Sequence, residues 1–163
     1  MTRAYVALGS NLGDREVTLR RAIAALAALP GVTRVVVSTL YETEPVGPPQ
    51  GRYLNAVVGL DTTLDASALL ARLRDLEQAA GRRRDAGRNA PRTLDLDLLL
   101  FGGACIDSPE LTVPHPRLHE RAFVLVPLTE LAADVVHPRL GLTVLALLER
   151  VADRDGVRAW PRT

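Results

Sequence analysis

The distribution of apolar and polar residues along the chain predicts an alternation of strands and helices. Residues 3–8 are rich in β-forming side chains and predict a first strand. Apolar residues at helical spacing follow over residues 15–29, between a capping residue, Asp14, and a stop at Pro30-Gly31. This combination of periodicity, cap and stop predicts the first helix.

The same signals predict the other elements. We expect further strands at residues 32–41, 53–62, 93–101 and 111–113. Further helices are expected at residues 63–80, with Asp65 as the cap, at residues 117–133, with Pro127 starting a new helical segment, and at residues 143–152. Residues 43–50 contain three prolines and residues 82–92 combine Gly87, Pro91 and clustered charge, so both segments are predicted to be loops. The order βαββαβ is typical of a ferredoxin-like α+β sandwich, here with a mainly antiparallel sheet, two long helices on one face and additional C-terminal helices. We expect residues 1–163 to form a single domain.

The composition excludes several classes of function. All twenty basic residues are arginine, which rules out a Walker phosphate loop, the lysine of a protein kinase and Schiff-base catalysis. A formal net charge of +1 argues against a nucleic-acid partner, since non-specific nucleic-acid binders carry a clear basic excess. Cys105 is the only cysteine, so neither an internal disulfide nor a cysteine metal cage is available.

The sequence shows no membrane-spanning or targeting pattern. No apolar run approaches the length of a membrane span, and the first nine residues resemble a strand rather than a signal peptide. We therefore expect a cytoplasmic protein that does not contact a membrane.

Two aspartates interrupt the most apolar run of the chain, residues 93–101. Asp95 and Asp97 lie two residues apart, so in a strand they project from one face, about 6.6–6.8 Å apart. Two carboxylates beside a core are costly unless a cation compensates them, and this spacing suits one Mg²⁺ ion or a pair about 3.5–4 Å apart. The alternative is a strand end at which both carboxylates are solvated or paired with arginine.

An arginine-rich segment, residues 82–92, stands immediately before this strand and is called the arginine loop below. Its five arginines are Arg82, Arg83, Arg84, Arg88 and Arg92. A charge run is usually a solvated segment, and for this cluster taken alone that alternative stays open. Beside two carboxylates, however, guanidinium groups match the oxygens of a metal-bound phosphate chain. We expect the loop to close over phosphates and to supply charge to the transition state.

Residues 111–123 hold further candidate phosphate ligands. His115 stands between two prolines and Arg121 follows it, and both are expected to act as cations towards phosphate. A zinc site on His115 and His119 is a weak alternative, because no cysteine lies nearby and His137 is remote along the chain.

Two of the few aromatic residues are candidates for ligand binding. Tyr53 follows the proline-rich loop and Phe123 follows the cationic segment, while Asn55 shares the strand with Tyr53. Taken singly, each aromatic is more often part of a core. Two rings and an amide beside a phosphate site would together suit a flat heterocycle that is stacked and recognised at its edge.

Taken together, these segments resemble the 6-hydroxymethyl-7,8-dihydropterin pyrophosphokinase family of folate biosynthesis. The most specific is Pro-Arg-Thr-Leu-Asp-Leu-Asp at residues 91–97, and the others follow in register over essentially the whole chain. They are Ala-Tyr-Val-Ala-Leu-Gly-Ser-Asn-Leu (4–12), Ser-Thr-Leu-Tyr-Glu-Thr-Glu-Pro-Val-Gly-Pro (38–48), Tyr-Leu-Asn-Ala-Val-Val (53–58), Gly-Arg (81–82), Leu-Phe-Gly (100–102) and Leu-Thr-Val-Pro-His-Pro-Arg (111–117).

The resemblance implies an activity and a set of site residues. The enzyme would transfer diphosphate from Mg-ATP to the pterin alcohol, whose oxygen attacks the β-phosphorus so that AMP leaves. It implies two Mg²⁺ ions on Asp95 and Asp97, with ATP as co-substrate; the protein is expected to be a monomer. The implied pterin site comprises Thr43, Val46, Tyr53, Asn55 and Phe123; the implied ATP site comprises Glu77, Arg82, Arg84, Arg92, Leu98, Thr112, His115 and Arg121; Arg82 and Arg92 are the implied catalytic arginines.

Two alternatives from other classes remain open on the sequence. RNA-binding modules also use βαββαβ sheets, but they carry exposed aromatics in an Arg/Lys-Gly-Phe-type signature that this chain lacks. A non-catalytic assembly protein on the same scaffold is the second alternative. It should respond neither to Mg²⁺ with an ATP analogue nor to RNA in a thermal-shift experiment.

Overall fold

The computed structural model describes residues 1–43, 51–81, 93–151, 154 and 156–161. The strands are β1 (Thr2–Ser10), β2 (Val32–Val37), β3 (Tyr41–Thr43), β4 (Tyr53–Thr62), β5 (Asp95–Phe101), β6 (Ile106–Asp107), β7 (Thr112–Val113) and β8 (Val157–Ala159). The helices are α1 (Arg15–Ala27), α2 (Ala66–Ala79), α3 (Ala122–Ala132) and α4 (Val144–Arg150), with a 3₁₀ helix at Leu118–Glu120.

In the described part of the chain, six strands form an antiparallel sheet, and helices cover both of its faces. The strand order is β5-β1-β4-β3-β8, and β2 pairs with the other half of β4 beside β3. The long helices α1 and α2 pack on one face, where Val6 and Leu8 of β1 point. Helices α3 and α4 pack on the other face, which receives Tyr5 and Val57. In the part of the chain that the structure describes, no helix is long and apolar enough to cross a membrane.

The predicted helix caps are confirmed. The Asp14 carboxylate accepts a hydrogen bond from the Val17 amide at 3.1 Å, and Asp65 accepts one from the Ala68 amide at 2.8 Å. Each cap satisfies an amide that the first helical turn cannot pair. Helix α2 consequently begins at Ala66, later than predicted.

The predicted strand over residues 32–41 is wrong in one respect, because it is two strands. At the break, the Ser38 amide donates to the Val57 carbonyl and the Val57 amide donates to the Ser38 hydroxyl, both at 2.9 Å. The side chain thereby replaces a backbone acceptor, and Thr39 leaves the sheet to contact Glu130 of α3. A β-rich composition does not reveal that a side-chain hydroxyl replaces a backbone carbonyl as the acceptor.

The elements differ from the sequence prediction in three other regions. Pro127 lies inside α3 rather than starting a new helical segment, and the chain before α3 forms the short 3₁₀ helix. Strand β1 continues through Ser10. Strand β8 was not predicted, because three residues carry too little periodicity and only their pairing with β3 makes them a strand.

The register of β5 shifts at Leu99. Val6 pairs with Leu98 and Tyr5 with Leu100, which leaves Leu99 as an extra residue on β5. The Leu99 carbonyl accepts a hydrogen bond from the His115 amide at 2.9 Å. The bulge therefore ties the segment that carries His115 to the strand that carries the two aspartates.

Candidate active site

A cavity of about 370 Å³ opens between α3 and the end of the sheet at which β1 ends and β4 and β5 begin. Adjacent strands supply its floor through register: Gly9 of β1 pairs with Asp95 on one side and with Asn55 on the other. The lining residues are Ala7, Leu8, Gly9, Thr43, Tyr53, Asn55, Ala56, Asp95, Asp97, Arg117, Arg121, Phe123 and Val124. Seven residues predicted from the sequence thus meet in one place: Thr43, Tyr53, Asn55, Asp95, Asp97, Arg121 and Phe123.

The two aspartates lie as the strand spacing predicted. Asp95 pairs with Gly9 and Asp97 with Ala7, and both half-buried side chains line the cavity. Among the described residues, no group of three or more His, Cys, Asp or Glu side chains is placed to hold a metal ion. Two neighbouring carboxylates fit Mg²⁺, which typically binds one or two carboxylates together with water and substrate phosphates.

The opposite side of the floor carries a side-chain amide of defined orientation. The buried Thr43 hydroxyl donates to Asn55 Oδ1 at 2.5 Å. Asn55 Nδ2 points the other way, so that a Cβ built on Gly9 would lie only 3.0 Å from it. The bare backbone of Gly9 thus leaves room beside an amide donor and beside the Tyr53 ring, whose Cδ1 would be 3.4 Å from that Cβ.

A cation and a ring form the wall opposite the sheet. The guanidinium carbon of Arg121 lies 5.5 Å from the centroid of the Phe123 ring. Burial lowers the pKa of Arg121, while the negative charges of Asp97 and Asp95 act in the opposite direction. Arg121 therefore presents a partly desolvated positive charge to the side of the cavity that holds the aspartates.

His115 is a neutral hydrogen-bonding group, which corrects the expectation of a cation. Burial, followed by the positive charges of Arg121 and Arg117, lowers the pKa of His115 to about 4. Its Nδ1 accepts a hydrogen bond from the Arg117 amide at 3.2 Å, which leaves Nε2 as the protonated nitrogen. The ring can thus donate one hydrogen bond without carrying a charge.

His137 is not remote in space, although it is remote along the chain. Its ring lies edge-on to that of His119, with 6.5 Å between the centroids. His137 is buried, and its Nδ1 accepts from the amides of Arg139 and Leu140, both at 3.2 Å. This histidine stabilises the turn between α3 and α4.

The other predicted ATP residues lie at the outer edge of β5, next to the cavity but outside its lining. The buried Glu77 carboxylate accepts a hydrogen bond from the Leu96 amide at 2.8 Å. Backbone groups of alternate strand residues point the same way, so the N–H and C=O of Leu98 also face this edge. Strand β7, with Thr112, lies beside it.

Six of the described residues that line the cavity were not predicted as site residues, and two of these six bear on ligand binding. Arg117 and Gly9 both line it; Gly9 lies in the segment at residues 4–12 and Arg117 in the segment at residues 111–117. Arg117 could have been predicted from the sequence, because it directly follows Pro114-His115-Pro116 in a segment already assigned to phosphate binding. Only the approach of Asn55 and Tyr53 to the backbone identifies Gly9.

Several predicted residues lie outside the described part of the chain. These are Val46 of the predicted pterin site and Arg82, Arg84 and Arg92 of the arginine loop.

Comparison with known proteins gives concordant matches. The sequence model of a family described as 7,8-dihydro-6-hydroxymethylpterin-pyrophosphokinase (HPPK) matches residues 5–133. A Bacillus subtilis protein named 2-amino-4-hydroxy-6-hydroxymethyldihydropteridine pyrophosphokinase is 44% identical over 158 residues, covering 96% of this chain and 89% of the relative. A protein of the same name from Pseudomonas aeruginosa is 48% identical over 137 residues, covering 83% of this chain and 84% of the relative.

Among solved structures, wild-type HPPK-DHPS of Plasmodium falciparum aligns with a TM-score of 0.68 at 14% identity and covers 92% of this chain. This chain spans only 43% of the length of that larger chain. At this identity the structural likeness supports the fold alone.

Proposed function

The chain belongs to the 7,8-dihydro-6-hydroxymethylpterin-pyrophosphokinase family, and we propose that the cavity between the sheet and α3 is where its reaction takes place. The activity is the transfer of diphosphate from ATP to 6-hydroxymethyl-7,8-dihydropterin in folate synthesis. The observation that carries the proposed location is the lining of the cavity, in which two carboxylates and a half-buried arginine lie beside two rings and a fixed amide.

The pterin is proposed to bind at the end of the cavity formed by Tyr53, Asn55 and Phe123. A pterin is a flat heterocycle with hydrogen-bonding groups along one edge. The two rings provide faces for stacking, and Asn55 Nδ2, oriented by Thr43, provides a donor to that edge. The backbone near Thr43 and Val46 is proposed to complete the recognition of the edge.

The diphosphate is proposed to lie at the other end, over Asp95 and Asp97. Mg²⁺, proposed as two ions on these carboxylates, would neutralise the phosphate oxygens and orient them for displacement. Arg121 lies between this end and Phe123, so its positive charge faces both the phosphates and the stacked ring. Its partial burial strengthens that attraction relative to an arginine in water.

The nucleotide is proposed to extend from the phosphates along the outer edge of β5. The backbone of Leu98 and of the neighbouring Thr112 provides hydrogen-bonding groups there, and His115 provides a neutral N–H donor. Glu77 holds the Leu96 amide and so supports the same edge. In this proposal, the ATP phosphates lie between the outer edge of β5 and the pterin end of the cavity.

Transfer then requires the hydroxymethyl oxygen of the pterin to form a bond to the β-phosphorus while the bond from that phosphorus to the oxygen bridging the α-phosphate breaks. The residues of the cavity hold the two substrates in line and keep water from the phosphorus. Arg82, Arg84 and Arg92 are proposed, from the sequence, to cover the phosphates and to stabilise charge in the transition state.

We also propose that the sheet and its helices form a ferredoxin-like α+β sandwich. The strand order is β5-β1-β4, and β2 and β3 together occupy the next position because both pair with β4. This order supports a ferredoxin-like assignment. Because both cores pack against the same sheet, we propose that residues 1–163 act as a single domain.

Release of AMP is the direct test of this function. The purified chain should form AMP from ATP only when both Mg²⁺ and the pterin alcohol are present. AMP formation that does not depend on the pterin would contradict the assignment of the acceptor. Formation of ADP in place of AMP would contradict the assignment of the bond that breaks.

A further inference from the structure

The carboxylate of Glu130 is shared by three donors from the break between β2 and β3. Its Oε2 accepts from the Thr39 amide at 3.2 Å and from the Thr39 hydroxyl at 3.0 Å. Its Oε1 accepts from the Tyr41 hydroxyl at 2.5 Å. Burial, and next the bond to Glu130, raises the pKa of Tyr41 to about 12, so the phenol remains a donor at neutral pH.

Helical geometry relates Glu130 to Phe123, the ring in the cavity wall opposite the sheet. Glu130 lies seven residues after Phe123 in α3, which is close to two complete turns and about 10.5 Å of rise. The two side chains therefore project from the same face of the helix. A contact that fixes Glu130 consequently fixes the distance and rotation at which α3 presents Phe123.

Strand geometry relates the same contact to Asn55, the side-chain amide on the floor of the cavity. Tyr41 and Thr43 are two residues apart in β3, so their side chains lie on one face of the sheet. Thr43 in turn orients Asn55 through its hydroxyl. A contact that fixes Tyr41 therefore also fixes the strand that holds Thr43 and Asn55 in place.

We propose that Glu130 is a positioning residue, which sets the width of the pterin-binding end of the cavity by tying α3 to β3. This inference rests on the proposed location of the pterin. Glu130 is exposed and its donors are uncharged, so any one of these hydrogen bonds taken alone would contribute little. Here, however, one carboxylate accepts three hydrogen bonds, and one of them comes from the Thr39 backbone amide at the break between β2 and β3. Loss of the carboxylate therefore removes a connection between the sheet and α3, which form the two sides of the cavity.

The test compares substrate dependence in four variants. Glu130→Ala should raise the KM for the pterin about tenfold, the order expected for loss of one charge-assisted hydrogen bond, while the KM for ATP changes less than about twofold. Tyr41→Phe should act in the same direction, and Glu130→Gln, which retains one acceptor oxygen, should recover part of the loss. Glu149→Ala removes an exposed carboxylate on α4 that does not line the cavity, and should match the parent protein.

A purely structural role would lower the melting temperature without separating the two KM values. An unchanged pterin KM in Glu130→Ala, or equal increases in both KM values, would overturn the proposal; if that variant does not fold, Tyr41→Phe decides by the same criteria. Phe123→Ala, measured in parallel, distinguishes failure of the positioning role from failure of the proposed pterin site. If Phe123→Ala weakens pterin binding and Glu130→Ala does not, the pterin site stands and the positioning role is wrong. If neither variant weakens pterin binding, both the pterin site and the positioning role are wrong.

Discussion

Replacing Gly9 by alanine perturbs the centre of the cavity floor with a single methyl group. Gly9 pairs with Asp95 on one side and Asn55 on the other, and its φ is not in the left-handed region that only glycine favours. The backbone therefore tolerates alanine, and the effect must come from the space the methyl group occupies. We expect Gly9→Ala to weaken pterin binding while the protein still folds.

The expected loss of pterin affinity follows from the contacts that the methyl group would make. The added Cβ would lie 3.0 Å from Asn55 Nδ2 and 3.4 Å from Tyr53 Cδ1, and the first contact is too short for the amide to remain where it is. Asn55 cannot move freely, because Thr43 holds its other end. Overpacking of this kind costs about 1–3 kcal/mol, which corresponds to a loss of about 5- to 150-fold in pterin affinity if the cost falls on the site.

Calorimetric titration of Gly9→Ala with the pterin, and separately with Mg²⁺ and a non-hydrolysable ATP analogue, measures this effect. Gly103→Ala is a control for the substitution itself, since a Cβ added there would meet no atom of a non-adjacent residue within 4 Å. Gly59→Ala is a control for the clash, because its Cβ would lie 3.0 Å from the Tyr5 ring and outside the cavity lining. It should lower the melting temperature and leave pterin affinity intact.

The reasoning is refuted if Gly9→Ala binds the pterin as well as Gly103→Ala does. It is also refuted if Gly59→Ala loses as much pterin affinity as Gly9→Ala, since the loss would then report general destabilisation. A loss of ATP-analogue binding equal to the loss of pterin binding would show that Gly9 does not belong to the pterin end.

Three further predictions concern the phosphate end. Asp97→Ala should lower turnover by orders of magnitude while the fold survives, because the carboxylate is proposed to hold Mg²⁺ and the phosphates; near-normal AMP release would exclude that role. Burial holds the pKa of His115 near 4, below its ordinary value of 6.5, so the stability this ring contributes is complete above about pH 6.5 and is lost as the pH falls towards 4. The melting temperature should therefore drop between pH 7 and pH 5, and His115→Gln should reduce that drop; an identical pH dependence in the variant would contradict the burial argument. From the sequence, Arg92→Ala should lower turnover far more than ATP affinity and Arg83→Ala should be almost silent, whereas equal losses in the two variants would show that the arginine loop acts only as a patch of charge.

The sequence was sufficient for features that depend on local periodicity. Asp95 and Asp97 share a face because strand side chains alternate, and this holds whichever strands lie alongside. The caps at Asp14 and Asp65 likewise depend on atoms within three residues of each other. The residues of the pterin end were proposed from the family resemblance and from the combination of two rings and an amide near a phosphate site. Neither of these depends on local periodicity.

Features that depend on contacts between distant segments were decided by the tertiary structure. Register across β5, β1 and β4 makes Gly9 part of the cavity, and the extra residue at Leu99 brings in the segment with His115. Burial beside Arg121 and Arg117 makes His115 neutral, although its sequence context suggested a cation. The sequence determined which face of a strand or helix each side chain occupies, because that follows from backbone geometry alone. Which side chains then become neighbours, and how strongly they are desolvated, depends on pairings between residues far apart in the chain, and only the folded molecule sets those.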